Sequence, residues 1–385
     1  MKIHIPESVL SIYHYLIDHQ YEAYFVGGCV RDGYLNIECA DYDITTNALV
    51  HEMIDLFTDS CFKLILTGVK HGTITVINQS MHVEVTTYRS NEVYNNHRTP
   101  TSLNFTSSLH EDLKRRDFTM NALAYNLTDI LDEHQGIEDI NNKIVRCIGD
   151  ANLRFNEDAL RILRAIRFAH RYQFILEHQT KLACFHSFPL LKSISIERVR
   201  DEFFKMLIDQ QPNLIDYLNQ FPFFETFIPE IKQPKELNDV PSRLDFKLAS
   251  LLKGTNSTSI LRRLKCDNKL IKQVSRLLQY QDHQFSLDRV ELRLFALQVD
   301  NHLTFMEDLF IYTKQEDILE LLHLMIQEND FYSIGQLAIN GNDCIELGLV
   351  GNKISQALKS CLILVIHDPS KNNKEELIKY IKDGQ

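Results

Sequence analysis

No two of the eight cysteines, at positions 29, 39, 61, 147, 184, 266, 344 and 361, stand in a C-x-x-C pair. That pattern offers no zinc site and reads as reduced thiols in a cytoplasmic protein. Long apolar runs are missing as well: nothing approaches the ~20 residues of a membrane span. The opening MKIHIPESVLSIYHYLIDHQ has neither the basic start nor the unbroken apolar core of a secretory signal, so a cytoplasmic location and no membrane partner are expected. Glycine (13) and proline (9) are scarce, which fits a helix-rich globular chain and not a disordered or fibrous one. Positive charge is in deficit too. A net charge of -11 excludes a uniformly basic coat and leaves a local basic stripe as the route to nucleic acid. No internal repeat of fixed period is visible.

What is present is a 385-residue chain, 44% hydrophobic, long enough for two or more packed units. Val9, Leu10, Ile12, Tyr13, Leu16 and Ile17 behind Pro6 predict an opening amphipathic helix with Pro6 at its first position. Ala23–Val26 predicts a strand running into Gly27-Gly28, where a turn is cheap. Further strands are expected at 42–45, 62–66, 73–77 and 81–87, the last two forming a hairpin about Asn78-Gln79-Ser80. Tyr94–Phe105, polar and containing Pro100, predicts a mobile loop. Beyond about residue 145 helical spacing dominates. The fold class expected is α+β, a small mixed sheet in the first part and an all-helical remainder, with helix breaks at Gln233-Pro234 and 254–259.

Chemistry concentrates in three places. Gly27-Gly28-Cys29-Val30-Arg31-Asp32 is followed by Asp41-Tyr42-Asp43. Side chains at i and i+2 of a strand share a face about 7 Å apart, so Asp41 and Asp43 can converge on oxygen-preferring cations such as Mg²⁺. Two such ions ~3.5–4 Å apart could clamp a hydroxyl and a triphosphate for in-line displacement. The Gly-Gly turn lets backbone N–H groups approach phosphate, with Arg31 as a nearby cation. Glu84, opposite in facing to Val83 and Val85, reads either as a third metal-side carboxylate or as a solvated strand face.

The second place is Glu111–Ala124, where Lys114, Arg115 and Arg116 just before an expected helix suit triphosphate or ribose contacts, or form a solvated face. Asn121 could bond a sugar or cap a turn. The third is Arg154–Ala169. Arg161, Arg164 and Arg167 recur every three residues, predicting an outward basic stripe on one helix with Asp158 a turn before Arg161. A carboxylate accepts and a guanidinium donates, so an Asp158/Arg161 pair complements the amine beside an unprotonated ring nitrogen that cytosine and adenine share. It would reject uracil and guanine by leaving buried polar groups unpaired. The alternative is an ordinary surface ion pair.

In this order the three blocks resemble the class II CCA-adding enzymes and bacterial poly(A) polymerases of the polymerase β-like nucleotidyltransferase superfamily. The family's metal motif matches Gly28, Arg31, Asp41 and Asp43. Its ribose-selecting motif matches Arg115, Arg116, Asp117 and Asn121, and its nucleotide-template motif Glu157, Asp158 and Arg161. Asp132–Ile140 looks like the family's flexible connector, 195–202 like the neck motif that braces the template helix, and 339–381 like the tail of the Gram-positive CCA-adding enzymes.

The resemblance implies a catalytic nucleotidyltransferase head at 1–143, a helical neck with the template at 144–210, a helical body at 211–275 and a tRNA-binding tail at 276–385. It implies addition of C, C and A to tRNA from CTP and ATP with Mg²⁺. Asp41, Asp43 and Glu84 would be catalytic, the first two holding metal. Gly28, Arg31, Arg115, Asn121, Asp158, Arg161, Arg164 and Arg167 would contact or support nucleotide. A poly(A) polymerase, a CC-only or A-only enzyme, or a non-catalytic RNA-binding module remain alternatives, and a homodimer stays open.

Overall fold

The computed structural model describes residues 3–39, 41–90, 94–95, 99–100, 104–330 and 332–383. The chain forms two compact units, one of residues 1–247 with 259–266, the other of 248–258 with 267–385. No helix among the described residues is long and apolar enough to cross a membrane.

The first unit opens with helix α1 (Glu7–Asp18), which buries Val9, Ile12, Tyr13 and Leu16. Pro6 is extended and caps this helix from outside; it does not occupy the first helical position expected for it. The sheet contains β1 (Ala23–Val26), β2 (Tyr42–Thr46), β3 (Lys63–Ile65), β4 (Thr73–Asn78), β5 (Met81–Thr87), β8 (Leu123–Tyr125) and β9 (Ile130–Asp132). Its order is β3-β4-β5-β2-β1-β8-β9, with β2 and β5 parallel and the remaining neighbours antiparallel. Phe25, Ile44, Ile74, Val76, Val83 and Val85 are fully buried, the alternation of a sheet with one covered face.

Between β5 and β8 the segment expected as a loop contains a two-residue antiparallel pair, β6 (Tyr94–Asn95) with β7 (Thr99–Pro100); residues 91–93, 96–98 and 101–103 lie outside the described set. Helices α2 (Gly28–Tyr34), α3 (Val50–Thr58) and α4 (Leu109–Lys114) complete this region. The basic run 114–116 therefore ends a helix and does not begin one. A basic C-terminal turn suits the negative end of the helix dipole. The segment expected as a flexible connector is built as the end of β9, a turn, and α5 (Gly136–Asn141), with the Asp132 carboxylate accepting from the N–H groups of Gly136 and Ile137 at 2.8 and 2.9 Å.

Helices α6 (Ala151–Glu157), α7 (Leu160–Tyr172), α8 (His178–Ser187) and α9 (Ile196–Ile208) follow. The region is not purely helical: β10 (Ile144–Val145) pairs in parallel with β11 (Ile175–Leu176), a ladder too short to show in hydrophobic periodicity. The second unit is helical among its described residues, with Val274, Leu292, Met306, Leu309 and Leu322 completely buried. A separate cluster there contains Cys344, Cys361, Val365 and Leu377.

Candidate active site

The β1–α2 junction sets the site. Gly27 has φ +70° and ψ -130°, a backbone conformation that glycine adopts freely and L residues only under strain. A β-carbon there would meet a terminal nitrogen of Arg116 at 3.4 Å and the Asp43 Oδ2 at 3.6 Å. The missing side chain thus leaves open the space between a guanidinium and a carboxylate.

Asp41 immediately precedes β2 and Asp43 is on it, and both line one cavity of about 580 Å³. In the parallel ladder Asp43 is level with Glu84, roughly 4.8 Å away at the backbone. Burial, then the charges of Glu84 and Asp41, push the Asp43 carboxyl up to about 6 against the pull of Arg116. Among the described residues no group of three His, Cys, Asp or Glu side chains is placed to enclose a metal. The protein instead offers the Asp41/Asp43 pair beside open space, with Glu84 adding charge. That donor set fits an ion held by one or two carboxylates, its remaining positions filled by water and substrate phosphate, which is how Mg²⁺ is usually bound.

A hydrogen-bonded chain leads away from the carboxylates. Arg31 donates from Nε to Asp32 Oδ1 at 2.8 Å and from Nη1 to Asn121 Oδ1. Its guanidinium lies 5.0 Å from the Phe168 ring centroid and 4.8 Å from that of Tyr172. Asn121 donates to Asp117 Oδ1 at 2.9 Å, and Asp117 Oδ2 accepts from Arg164 Nε at 2.7 Å. Asn121 thus bridges Arg31 and Asp117 from a buried position, a placement for orienting Arg31. Burial opposes ionisation of Asp117, but Arg164, the Asn121 amide and Arg161 outweigh it and hold the carboxyl at about 2.

Arg115 and Arg116 are oriented by Asp112, which is fully buried and which sequence reasoning did not single out. Its Oδ1 accepts from Arg115 at 2.9 and 2.7 Å, and its Oδ2 from Arg116 at 3.0 Å and from Thr45 of β2 at 3.2 Å. Despite its burial, the Arg116 and Arg115 charges hold Asp112 at about 2. One nitrogen, Arg116 Nε, is buried with no acceptor among the described residues, a spare donor beside Asp43.

Asp158 and Arg161 were expected on one helix; the structure breaks the helix between them. Asp158 is extended, with φ -140° and ψ 104°, between α6 and α7, and its Oδ1 accepts from Leu160 N at 3.0 Å. A short carboxylate competing for backbone N–H groups explains the interruption. The same carboxylate is gripped by Arg198 of α9. Arg161 reaches Glu157, and the Arg115 carbonyl at 3.2 Å.

The arginine stripe on α7 does not face outward. Arg167 is buried against Glu202 at 2.6 Å, with side-chain exposures of 8% and 4%, and Arg161 and Arg164 line the cavity. The periodicity was correct; the direction was set by carboxylates distant in sequence, Asp117 and Glu202. Eight arginines and six acidic residues line the cavity, a local basic excess within a chain of net charge -11. Gly28, Arg31, Asp41, Asp43, Arg115, Asn121, Asp158, Arg161, Arg164 and Arg167 all line it, while Glu84 stands beside it through the β2–β5 register.

Comparison with known proteins gives the family. The model of the "Poly A polymerase head domain" matches residues 23–146, that of the "Probable RNA and SrmB- binding site of polymerase A" 173–233, and that of "tRNA nucleotidyltransferase domain 2 putative" 246–381. The CCA-adding enzyme of Enterococcus faecalis is 33% identical over 94% of this chain and 92% of its own length. That of Lactobacillus helveticus is 34% identical over 96% and 94%. The chain belongs to the CCA-adding enzymes. A crystal structure of the Bacillus stearothermophilus CCA-adding enzyme in complex with CTP superposes with a TM-score of 0.81 at 30% identity, covering 98% of each chain. Within this family the fold class read from sequence, a mixed-sheet head followed by mainly helical regions, holds.

Proposed function

We propose that this chain completes the 3′ end of tRNA by adding C, C and A from CTP and ATP without a nucleic-acid template. Each step joins the terminal 3′ oxygen to the nucleotide α-phosphorus, breaks the α–β phosphoanhydride and releases pyrophosphate. The observation that carries the proposal is that one cavity is lined both by the Asp41/Asp43 carboxylates and by Asp158 and Arg161. Catalytic and base-reading groups therefore share one space. Membership of the CCA-adding enzymes supports the same reading.

Asp41 and Asp43, with Glu84 adding charge, would hold Mg²⁺ in a two-ion arrangement. When bound, the ions polarise the attacking hydroxyl and neutralise developing charge on the triphosphate. The turn at Gly27-Gly28 admits phosphate oxygens close to the backbone, while Arg31, held by Asp32 and Asn121, and Arg115, held by Asp112, present preset donors to triphosphate or sugar. Such preorganised donors are effective because they need no reorientation as charge develops. Asp158 accepts from the exocyclic amine of C or A and Arg161 donates to the adjacent ring nitrogen; Arg164 and Arg167 fix α7, which carries Arg161.

In this reading 1–143 is the catalytic head, 144–210 the neck, 211–275 the body and 276–385 the tRNA-binding tail, working in the cytoplasm. One copy of the chain carries every residue named. The test is single-turnover transfer from labelled CTP to tRNA lacking its 3′ end, with Mg²⁺. Asp43→Ala and Asp41→Ala are expected to abolish transfer with nucleotide binding largely retained. Transfer by Asp43→Ala at the wild-type rate would refute the assignment.

A further inference from the structure

We propose that Tyr172 is a positioning residue for the nucleotide triphosphate: through Asp32 it ties Arg31 to α7, the helix that also carries Arg161. The Tyr172 hydroxyl donates to Asp32 Oδ1 at 2.7 Å, across 140 residues of sequence. The same oxygen accepts from Arg31 Nε at 2.8 Å. Two donors from different ends of the chain thus converge on one carboxylate oxygen, and Asp32 is only 7% exposed, so water competes little for it. Burial pushes the Tyr172 phenol up to about 12, which keeps it a donor.

The ring adds a second restraint. The Arg31 guanidinium lies over the rings of both Phe168 and Tyr172, which are one turn apart on α7 and stacked with centroids 6.2 Å apart. A cation over aromatic faces is attracted by their quadrupoles. With Nε on Asp32 and Nη1 on Asn121, Nη2 is the nitrogen of Arg31 left without an acceptor among the described residues. It stands beside the glycine turn, where a β-carbon on Gly28 would meet it at 3.5 Å. One donor is therefore left for phosphate, and its direction is set by the groups that hold the rest of the guanidinium.

Helix α7 reaches Arg31 by two routes. One runs from Arg164 through Asp117 and Asn121; the other is Tyr172 through Asp32. Arg164 and Tyr172 are separated by about 12 Å along the helix axis, so the two attachments fix an orientation as well as a position. The helix that brings Arg161 to the cavity thereby also sets the triphosphate donor.

The assignment to triphosphate rests on the proposed function. The test is equilibrium binding of CTP and of CMP to the full chain, with Mg²⁺ and without tRNA, so that no transfer takes place. Tyr172→Phe keeps the ring and removes only the hydroxyl. It is expected to weaken CTP about five- to twentyfold and to leave CMP, which lacks the β- and γ-phosphates, within about twofold. On an Arg31→Gln background the same change should alter CTP affinity less than about twofold, because a residue that acts through Arg31 then has nothing to position. Unchanged CTP affinity, equal losses for CTP and CMP, or the same loss on both backgrounds overturns the proposal. Where Arg31→Gln fails to fold, the CTP/CMP split of Tyr172→Phe decides alone. Wild-type protein that binds CTP but transfers nothing to tRNA contradicts the proposed function instead, and the binding comparison still reads the positioning.

Discussion

Arg198 grips the Asp158 carboxylate with two hydrogen bonds, Nη2 to Oδ2 at 2.8 Å and Nη1 to Oδ1 at 3.3 Å. With Leu160 N also on Oδ1, Oδ1 has two donors and Oδ2 one among the described residues, which leaves Oδ2 one acceptor position for an incoming base amine. Arg198 is therefore a positioning residue for base choice. Arg198→Ala is expected to lower kcat/KM for CTP about 10–100-fold, or roughly 1.4–2.8 kcal/mol, and to lower the preference for CTP over UTP. Arg198→Lys, which keeps the charge but loses the fork, should fall between. A lower rate with unchanged CTP/UTP preference would make its role purely structural.

Arg167 and Glu202 join α7 to α9 through a pair in which both side chains are buried. Removing one member of such a pair leaves an uncompensated charge and costs about 3–5 kcal/mol. Glu202→Ala should therefore shift the urea midpoint strongly, while the double change Arg167→Met with Glu202→Leu should lose much less. Equal losses would mean that the pair itself contributes the stability.

Acid should weaken the site's framework in a defined window. Asp112 and Asp117 are held at about 2 in the folded protein, below the ordinary value of 3.8. A depressed folded-state pKa gives stability that is complete above the unfolded value and is lost as pH falls through the folded one. Unfolding free energy should thus decline between about pH 4 and 2. Asp117→Asn, less stable at pH 6, should show a shallower decline in that range; parallel curves would contradict the coupling.

Gly27→Ala tests the opening between Arg116 and Asp43. The strained backbone at φ +70° and ψ -130° predicts a loss of about 1–3 kcal/mol in stability. The new methyl at 3.4–3.6 Å from both groups predicts more than a tenfold drop in transfer. Thermal melting and single-turnover rates separate the two effects.

The strand at Met81–Thr87 and the shared cavity of Asp41 and Asp43 were legible because they rest on local alternation and i, i+2 spacing, and the strand at Ala23–Val26 because it is short, aromatic and β-branched ahead of Gly27-Gly28. β8 and β9 were not, since Leu123–Tyr125 is buried throughout and shows no alternation. The second half of the site was half legible. Sequence spacing put three arginines on one side of α7, but their inward direction depends on Asp117 and Glu202, 47 and 35 residues from their partners Arg164 and Arg167. Asp112 went unnoticed because its function lies in burial, which an acidic residue within a charged run does not announce. The helix break at Asp158 was hidden by the hydrophobic pattern continuing on both sides.

Sequencing the products formed on tRNA lacking its 3′ end, with CTP, ATP, UTP and GTP all present with Mg²⁺, tests the central claim most directly. The account predicts C-C-A followed by a stop, with U and G excluded. A run of A residues, or incorporation without regard to base, would contradict it.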